Sequence, residues 1–197
     1  MEDEKVFVKR FFQPGVAQPD KLEMIASHFH EKLVPRHEHF LLEGKTSQEY
    51  MLLESGFMRA YSLDTTGNEV TTAFYGAGQP VFDVASFFLR TPSKESIQAL
   101  TPCKGWVISF DDLNGLFHSI PEFREAGRGI LVKGYASLKL RMQSMITETA
   151  ETRYANLLQT NPEILMQAPL KYIASYLGIT DTSLSRIRRE FSKHHKN

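Results

Sequence analysis

The sequence holds a single cysteine (Cys103) and a single tryptophan (Trp106) among its 197 residues, and no net charge, its 23 Lys and Arg balancing 23 Asp and Glu. A lone cysteine forms no internal disulfide. No stretch approaches the roughly 18 apolar residues of a membrane span. The start, Met1-Glu2-Asp3-Glu4-Lys5, lacks the apolar centre of a signal peptide. No Ser-His-Asp arrangement and no phosphate-loop motif is found. These absences predict a soluble cytoplasmic protein with no membrane partner and no enzymatic activity. What is present is an ordinary globular composition, 42% hydrophobic and 23% charged, able to bury a core, with disorder expected only at the two ends. The charge is also uneven. From Ser183 to Asn197 five basic residues (Arg186, Arg188, Arg189, Lys193, Lys196) face one acid, Glu190, a net +4 that leaves −4 on the rest. A basic end on a mildly acidic body suits a nucleic-acid reader, and equally a solvated terminus.

Hydrophobic spacing divides the chain. Leu22, Ile25, Ala26 and Phe29 recur at helical intervals and predict a helix over 20–34. From about Leu33 to Phe110, short apolar runs alternate with turn residues, as in a β-sandwich or barrel. These runs are Phe40–Leu42, Tyr50–Leu53, Phe57–Leu63, Val70–Tyr75 and Trp106–Phe110, and Asp64-Thr65-Thr66-Gly67-Asn68 reads as a hairpin turn. Asp111-Asp112 and Pro121 can each open a helix. In the proline-free stretch to Thr149, Leu131, Tyr135, Leu138, Met142 and Met145 are spaced 4, 3, 4, 3. That a/d seam fits a dimer helix, and equally a helix packed on its own domain. Leu140 and Ile146 lie off it and are expected to pack on the β domain. Asn161-Pro162 and Ala168-Pro169 then divide a helical tail into short pieces. The reading is an α+β chain with a β domain at 1–120, a long helix at 121–149 and a helical domain at 150–197.

The tail carries the clearest motif. From Leu170 to Arg189, Ala174 supplies the small residue a crossing helix needs, and Gly178 the turn residue tolerant of positive φ. Ile173, Leu177, Ile179, Leu184 and Ile187 fall where two helices must lock. Thr180 can cap the second helix, with Asp181 in its first turn. At about 100° per residue, Leu184, Ile187, Arg188 and Phe191 share one side, and Thr182, Ser185, Arg186, Arg189 and Lys193 the other. This is a helix-turn-helix, with Thr182, Ser183, Ser185, Arg186, Arg188, Arg189 and Lys193 as the DNA-binding set. Arg186 suits a guanine edge, while Arg188, Lys193 and Lys196 suit phosphates.

Leu170–Arg189 resembles the helix-turn-helix of the cyclic-AMP receptor and fumarate–nitrate regulator (Crp/Fnr) superfamily, and Pro169–Thr180 is especially similar to members from Bacteroidetes. Glu54-Ser55-Gly56-Phe57-Met58-Arg59 resembles the family's strand-then-glycine signature. The likeness covers about Asp20 to Phe191. It implies an N-terminal cyclic-nucleotide-binding-like β-roll, a long dimerisation helix, a C-terminal DNA-binding domain and a homodimer. Double-stranded DNA, a second copy of the chain and RNA polymerase become the expected partners. Nucleotide-binding members carry Phe-Gly-Glu and, later, Arg-Ser. Here the matching segments read Gly78-Gln79-Pro80-Val81-Phe82-Asp83-Val84-Ala85-Ser86 and Ser93-Lys94-Glu95-Ser96-Ile97. Ser93 stands at the phosphate-binding arginine's position, Lys94 points to the other face of an extended strand, and Glu95 repels a phosphate. Gln79, Asp83, Ser86, Ser93 and Lys94 are the candidate residues of a degenerate pocket. Cyclic AMP is not expected to bind, and the effector, if there is one, is an unknown small molecule.

One cysteine excludes the four-cysteine iron–sulfur branch. His28, His30, His37 and His39 are close in sequence but more often such residues are superficial, so no cofactor or metal is assigned. Asp181 and Thr182 stand where the cyclic-AMP receptor has Arg-Glu, so its operator does not carry over. The sequence ends soon after Phe191, and no β-hairpin wing is expected. Two alternatives remain: a constitutive regulator with a scaffold β-roll, and a cupin-type metal enzyme built on His37-Glu38-His39, for which no distant ligand is evident.

Overall fold

The computed structural model describes residues 5–194, with side chains through Ser192. Lys196, and the side chain of Lys193, lie outside the described residues. The chain opens with α1 (Val6–Phe12) and α2 (Pro19–Ser27), the latter started by proline at its first position. Eight strands follow: β1 (His30–Val34), β2 (His39–Leu41), β3 (Glu49–Ser55), β4 (Met58–Leu63), β5 (Glu69–Tyr75), β6 (Pro80–Val81), β7 (Ser96–Ala99) and β8 (Cys103–Ser109), with α3 (Val84–Leu89) between β6 and β7. They form two antiparallel four-stranded sheets, ordered β1-β8-β3-β6 and β2-β7-β4-β5. The tail is α4 (Phe110–Ser119), α5 (Pro121–Thr147), α6 (Ala150–Thr160), α7 (Pro162–Gln167), α8 (Leu170–Tyr176) and α9 (Asp181–His194).

The alternation of side chains along β3 explains the apolar run Tyr50–Leu53. Met51 and Leu53 face the second sheet, packing with Met58, Ala60, Ile97 and Val107. Tyr50 and Leu52 face the other way, into an aromatic layer with Phe12, Phe29, Phe87, Trp106 and Phe123. A strand covered on both faces reads as continuous hydrophobicity. Between β3 and β4 the chain reverses at Gly56 (φ 97°), where a Cβ would lie 2.5 Å from the Pro102 carbonyl oxygen.

Four expectations need correction. The helix over 20–34 stops at Ser27, and β1 occupies its second half. The N-terminal region is not disordered from Lys5 onward: Val8 is fully buried and Phe12 is 3% exposed, because α1 closes the aromatic layer. Helix α3 and strand β7 lie where the apolar spacing predicts no element. Leu140 and Ile146 do not pack on the β domain, being 66% and 76% exposed. No helix of the described residues is long and apolar enough to cross a membrane.

Candidate nucleic-acid interface and effector cavity

Helices α8 and α9 form the helix-turn-helix. Ile173 and Ala174 are fully buried on α8, and Leu184 and Ile187 on α9 are 1% exposed, so the locking residues meet as their spacing requires. Gly178 turns the chain at φ 68°. Thr180 caps α9, its hydroxyl oxygen accepting from the Ser183 N–H at 3.2 Å. Phe191 meets Tyr154 of α6 edge-on at 5.4 Å. On the opposite side Thr182, Ser185, Arg186 and Arg189 are exposed; Arg188, nearer the packed side, is exposed too, and Ser183 is half-buried. The field of Arg186 reaches Glu151 at the start of α6, whose carboxyl is held below its usual range chiefly by hydrogen bonding to its own backbone and to Thr149, with Arg186 adding to the effect.

This pair of helices is seated on the rest of the protein. Arg141 of α5 donates to the Tyr176 carbonyl (3.0 Å) and stacks on the Tyr176 ring. Arg153 of α6 donates twice to the Leu177 carbonyl, at 2.8 and 3.2 Å. Together they satisfy carbonyls that the end of α8 leaves free. The outer face of the second sheet completes the seat. Phe57 and Leu100 join the hydrophobic core of the C-terminal helices. Phe74 of β5 meets Tyr176 at 5.1 Å. Below α8 the Arg59 guanidinium, 1% exposed, lies between Tyr172 (3.5 Å to the ring centre) and Tyr61 (4.2 Å). Its Nη2 donates to Glu69 and Gln98, while Nε and Nη1 have no acceptor.

Inside the β-roll a second polar cluster surrounds α3. Asp83 caps this helix, one carboxylate oxygen accepting from the Ala85 and Ser86 N–H groups and the other from the Ser93 hydroxyl at 2.6 Å. Ser86 donates to the Thr91 carbonyl and accepts from the Ser47 N–H. Glu95 accepts from the Thr72 hydroxyl at 2.7 Å. Burial pushes its carboxyl up, the Thr72 bond opposes this in part, and the Asp83 charge adds to it. The Tyr75 hydroxyl is also driven up by burial, with Glu95 and Asp83 reinforcing the shift.

A family model for the cyclic nucleotide-binding domain matches residues 31–119. That stretch of the chain is similar to a cyclic nucleotide-binding domain. Solved structures agree over most of the chain: FixK2 from Bradyrhizobium japonicum (TM-score 0.74, 16% identity, covering 85% of this chain and 86% of that one). CLP from Xanthomonas campestris, described as a c-di-GMP-responsive global regulator, gives 0.71 at 16% identity, covering 90% and 93%. A protein from Eubacterium rectale described as a transcriptional regulator of the Crp/Fnr family gives 0.70 at 15% identity, covering 90% and 84%. No curated protein matches the chain in sequence.

In this β-roll the candidate residues separate. Asp83, Ser86 and Ser93 converge on the start of α3. Gln79 does not join them, its side chain accepting from the Gly76 N–H in a turn, and Lys94 is exposed. The other basic group of the segment, Arg90, donates to the Ser47 carbonyl and stacks on Phe110. An anion beside the start of α3 would meet the carboxylates of Asp83 and Glu95. Sequence reasoning missed Thr72 and Tyr75, since a strand threonine and tyrosine carry no signal of a pocket. A surface groove of about 300 Å³ over residues 39–49 and an apolar slot of about 20 Å³ between Phe82, Phe88, Phe123 and Leu131 have linings that include neither carboxylate.

The candidate dimer residues sit on α5, where Tyr135, Leu138 and Met142 are 71%, 62% and 49% exposed. At the ends of the predicted seam Leu131 (36% exposed) borders the apolar slot, and Met145 (38% exposed) meets Gly178, where a Cβ would lie 2.6 Å from its methyl carbon. Ile146, 76% exposed, lies within about 20° of Tyr135 around the helix. His37 and His39 do not share a strand face, since His37 (φ 71°) precedes β2. His28 contacts Asp112 and His39 contacts the Tyr61 hydroxyl. Among the described residues no three His, Cys, Asp or Glu are grouped to hold a metal.

Proposed function

We propose that the chain is a DNA-binding transcription regulator, not an enzyme, that acts in the cytoplasm as a homodimer. The observation that carries this reading is α9. Its Leu184 and Ile187 are buried against α8, while Thr182, Ser185, Arg186 and Arg189 stand exposed on one polar, basic face. A helix so presented enters a major groove, its early residues reaching base edges and Arg188 and Lys193 reaching phosphates. The apolar stripe of α5 is the dimer contact, because the single chain leaves it in water. Two-fold symmetry then asks for two half-sites about 34–36 Å apart. RNA polymerase is the downstream partner.

Cyclic AMP is not the effector in this reading, because the phosphate position holds Ser93 beside Asp83 and Glu95. The Asp83–Ser93 and Glu95–Thr72 hydrogen bonds, which occupy both carboxylates from within the protein, favour a second reading in which the β-roll takes no ligand and serves as a scaffold. A thermal-shift ligand screen separates the two, since a ligand of the native state raises the melting temperature. Selection of bound genomic fragments at stated salt tests the main reading and should return inverted repeats. On the selected operator Arg186→Ala should weaken specific binding by about 1–3 kcal/mol. Unchanged binding by that variant would mean the reading face is misassigned.

A further inference from the structure

The register of β4 with β5 slips between Ala60 and Tyr61: Ala60 pairs with Ala73 and Tyr61 with Thr71, leaving Thr72 as the extra residue of a β-bulge. A bulge re-aims the side chains beside it. Here two adjacent threonines serve opposite sides of the sheet. The Thr72 hydroxyl donates to Glu95 in the interior of the β-roll. Thr71, 1% exposed, donates its N–H to the Ser175 hydroxyl of α8 at 3.1 Å, and that hydroxyl lies 3.0 Å from both the Thr71 hydroxyl and the Tyr172 carbonyl, sharing its one proton between them. Thus one peptide unit separates a contact with the cassette carboxylate from a contact with the helix-turn-helix.

We propose that this bulge couples the interior of the β-roll directly to α8, so that displacement of the Glu95 carboxylate from Thr72 loosens the seating of the helix-turn-helix without acting through α5. The seat is suited to release. Seating adds the face of Tyr172 to that of Tyr61 over Arg59, but leaves two of its nitrogens buried and without acceptors. Water would satisfy both when α8 lifts, which offsets part of what the lifting costs. Both threonine contacts are hydrogen bonds, so a shift of the bulge by about an ångström breaks them.

The test uses amide hydrogen exchange on the full-length protein, which reads the opening of each segment separately. Thr72→Val keeps the side-chain shape and removes the hydroxyl. It should speed exchange of the α8 amides by roughly fivefold, the effect of one net hydrogen bond. Ser175→Ala should speed the same amides by at least as much. The double variant decides the matter: under direct coupling it exchanges no faster in α8 than Ser175→Ala alone. If Thr72→Val leaves α8 unchanged, or if the two factors multiply, the coupling does not exist. The multiplied outcome applies even where Thr72→Val loosens the whole β-roll, because general loosening acts independently of Ser175. The readout does not depend on DNA binding, so it stands or falls apart from the proposed function.

Discussion

Replacing Arg59 by methionine separates two opposed energies at the seat of α8. The guanidinium carbon lies 3.5 Å from the centre of the Tyr172 ring in a site with 1% exposure, and a desolvated cation–π contact of this kind stabilises by about 2 kcal/mol. Against it stand two nitrogens with no acceptor, each costing about 1–3 kcal/mol. The partner carboxylate of Glu69 is 41% exposed and returns to water when Arg59 is removed, so it is not left as a buried unpaired charge. Arg59→Met should therefore leave global stability within about 1 kcal/mol of the natural chain, or raise it. Tyr172→Leu should cost about 2 kcal/mol in the natural chain and close to nothing in the Arg59→Met background, where leucine packs on an apolar stem. The double-mutant cycle, measured by urea unfolding of the full chain, then gives a coupling of about 2 kcal/mol. A coupling below about 0.5 kcal/mol would show that Tyr172 merely covers Arg59, and the reasoning about the seat would fail.

Three further outcomes follow from the same geometry. Burial raises the Glu95 carboxyl in the folded chain, so its contribution to stability is present below the ordinary carboxylate range and is lost as pH rises through the folded value. Glu95→Gln should accordingly melt above the natural chain at neutral pH, with the gap closing on acidification; a gap that is constant in pH contradicts the assignment. Tyr135→Glu, on the exposed stripe of α5, should convert the protein to the mass of a single chain in light scattering while its fold is kept, and an unchanged mass would place the dimer contact elsewhere. Calorimetry with cyclic AMP should show no micromolar binding, and a clear isotherm in that range would overturn the reading of Ser93 and Glu95.

The helix-turn-helix is legible in the sequence because its requirements are local. A positive φ at Gly178, a hydroxyl cap at Thr180 and the buried contacts between α8 and α9 lie close together along the chain, and each restricts residue type. The two-sheet β domain is legible where a strand is covered on both faces, as at Tyr50–Leu53. Strand β1 is not, since only Val34 of its five residues is buried and the helical spacing of α2 runs into it. Helix α1 is hidden because Lys9 and Arg10 alone interrupt its apolar run, too few to give a period. The seam on α5 follows from local spacing alone, which carries no sign that Met145 also meets Gly178, far along the chain. Arg59 is visible only as part of a strand signature. What gives it a role is Tyr172, far along the chain, and such a contact leaves no trace in local spacing.

Arg141 and Arg153 complete the end of α8 from two other helices, so the helix-turn-helix is tied where it meets the long helix. In the proposed dimer this makes the molecule a caliper. Its jaws are set by bonds between helices rather than by a flexible tether, and the gap between them can change only if those bonds break. One base pair added between half-sites turns the second site by about 35° and moves it about 3.4 Å, more than a rigid jaw can follow. Selectivity for operators would then reside as much in their phase along the duplex as in the bases that α9 touches.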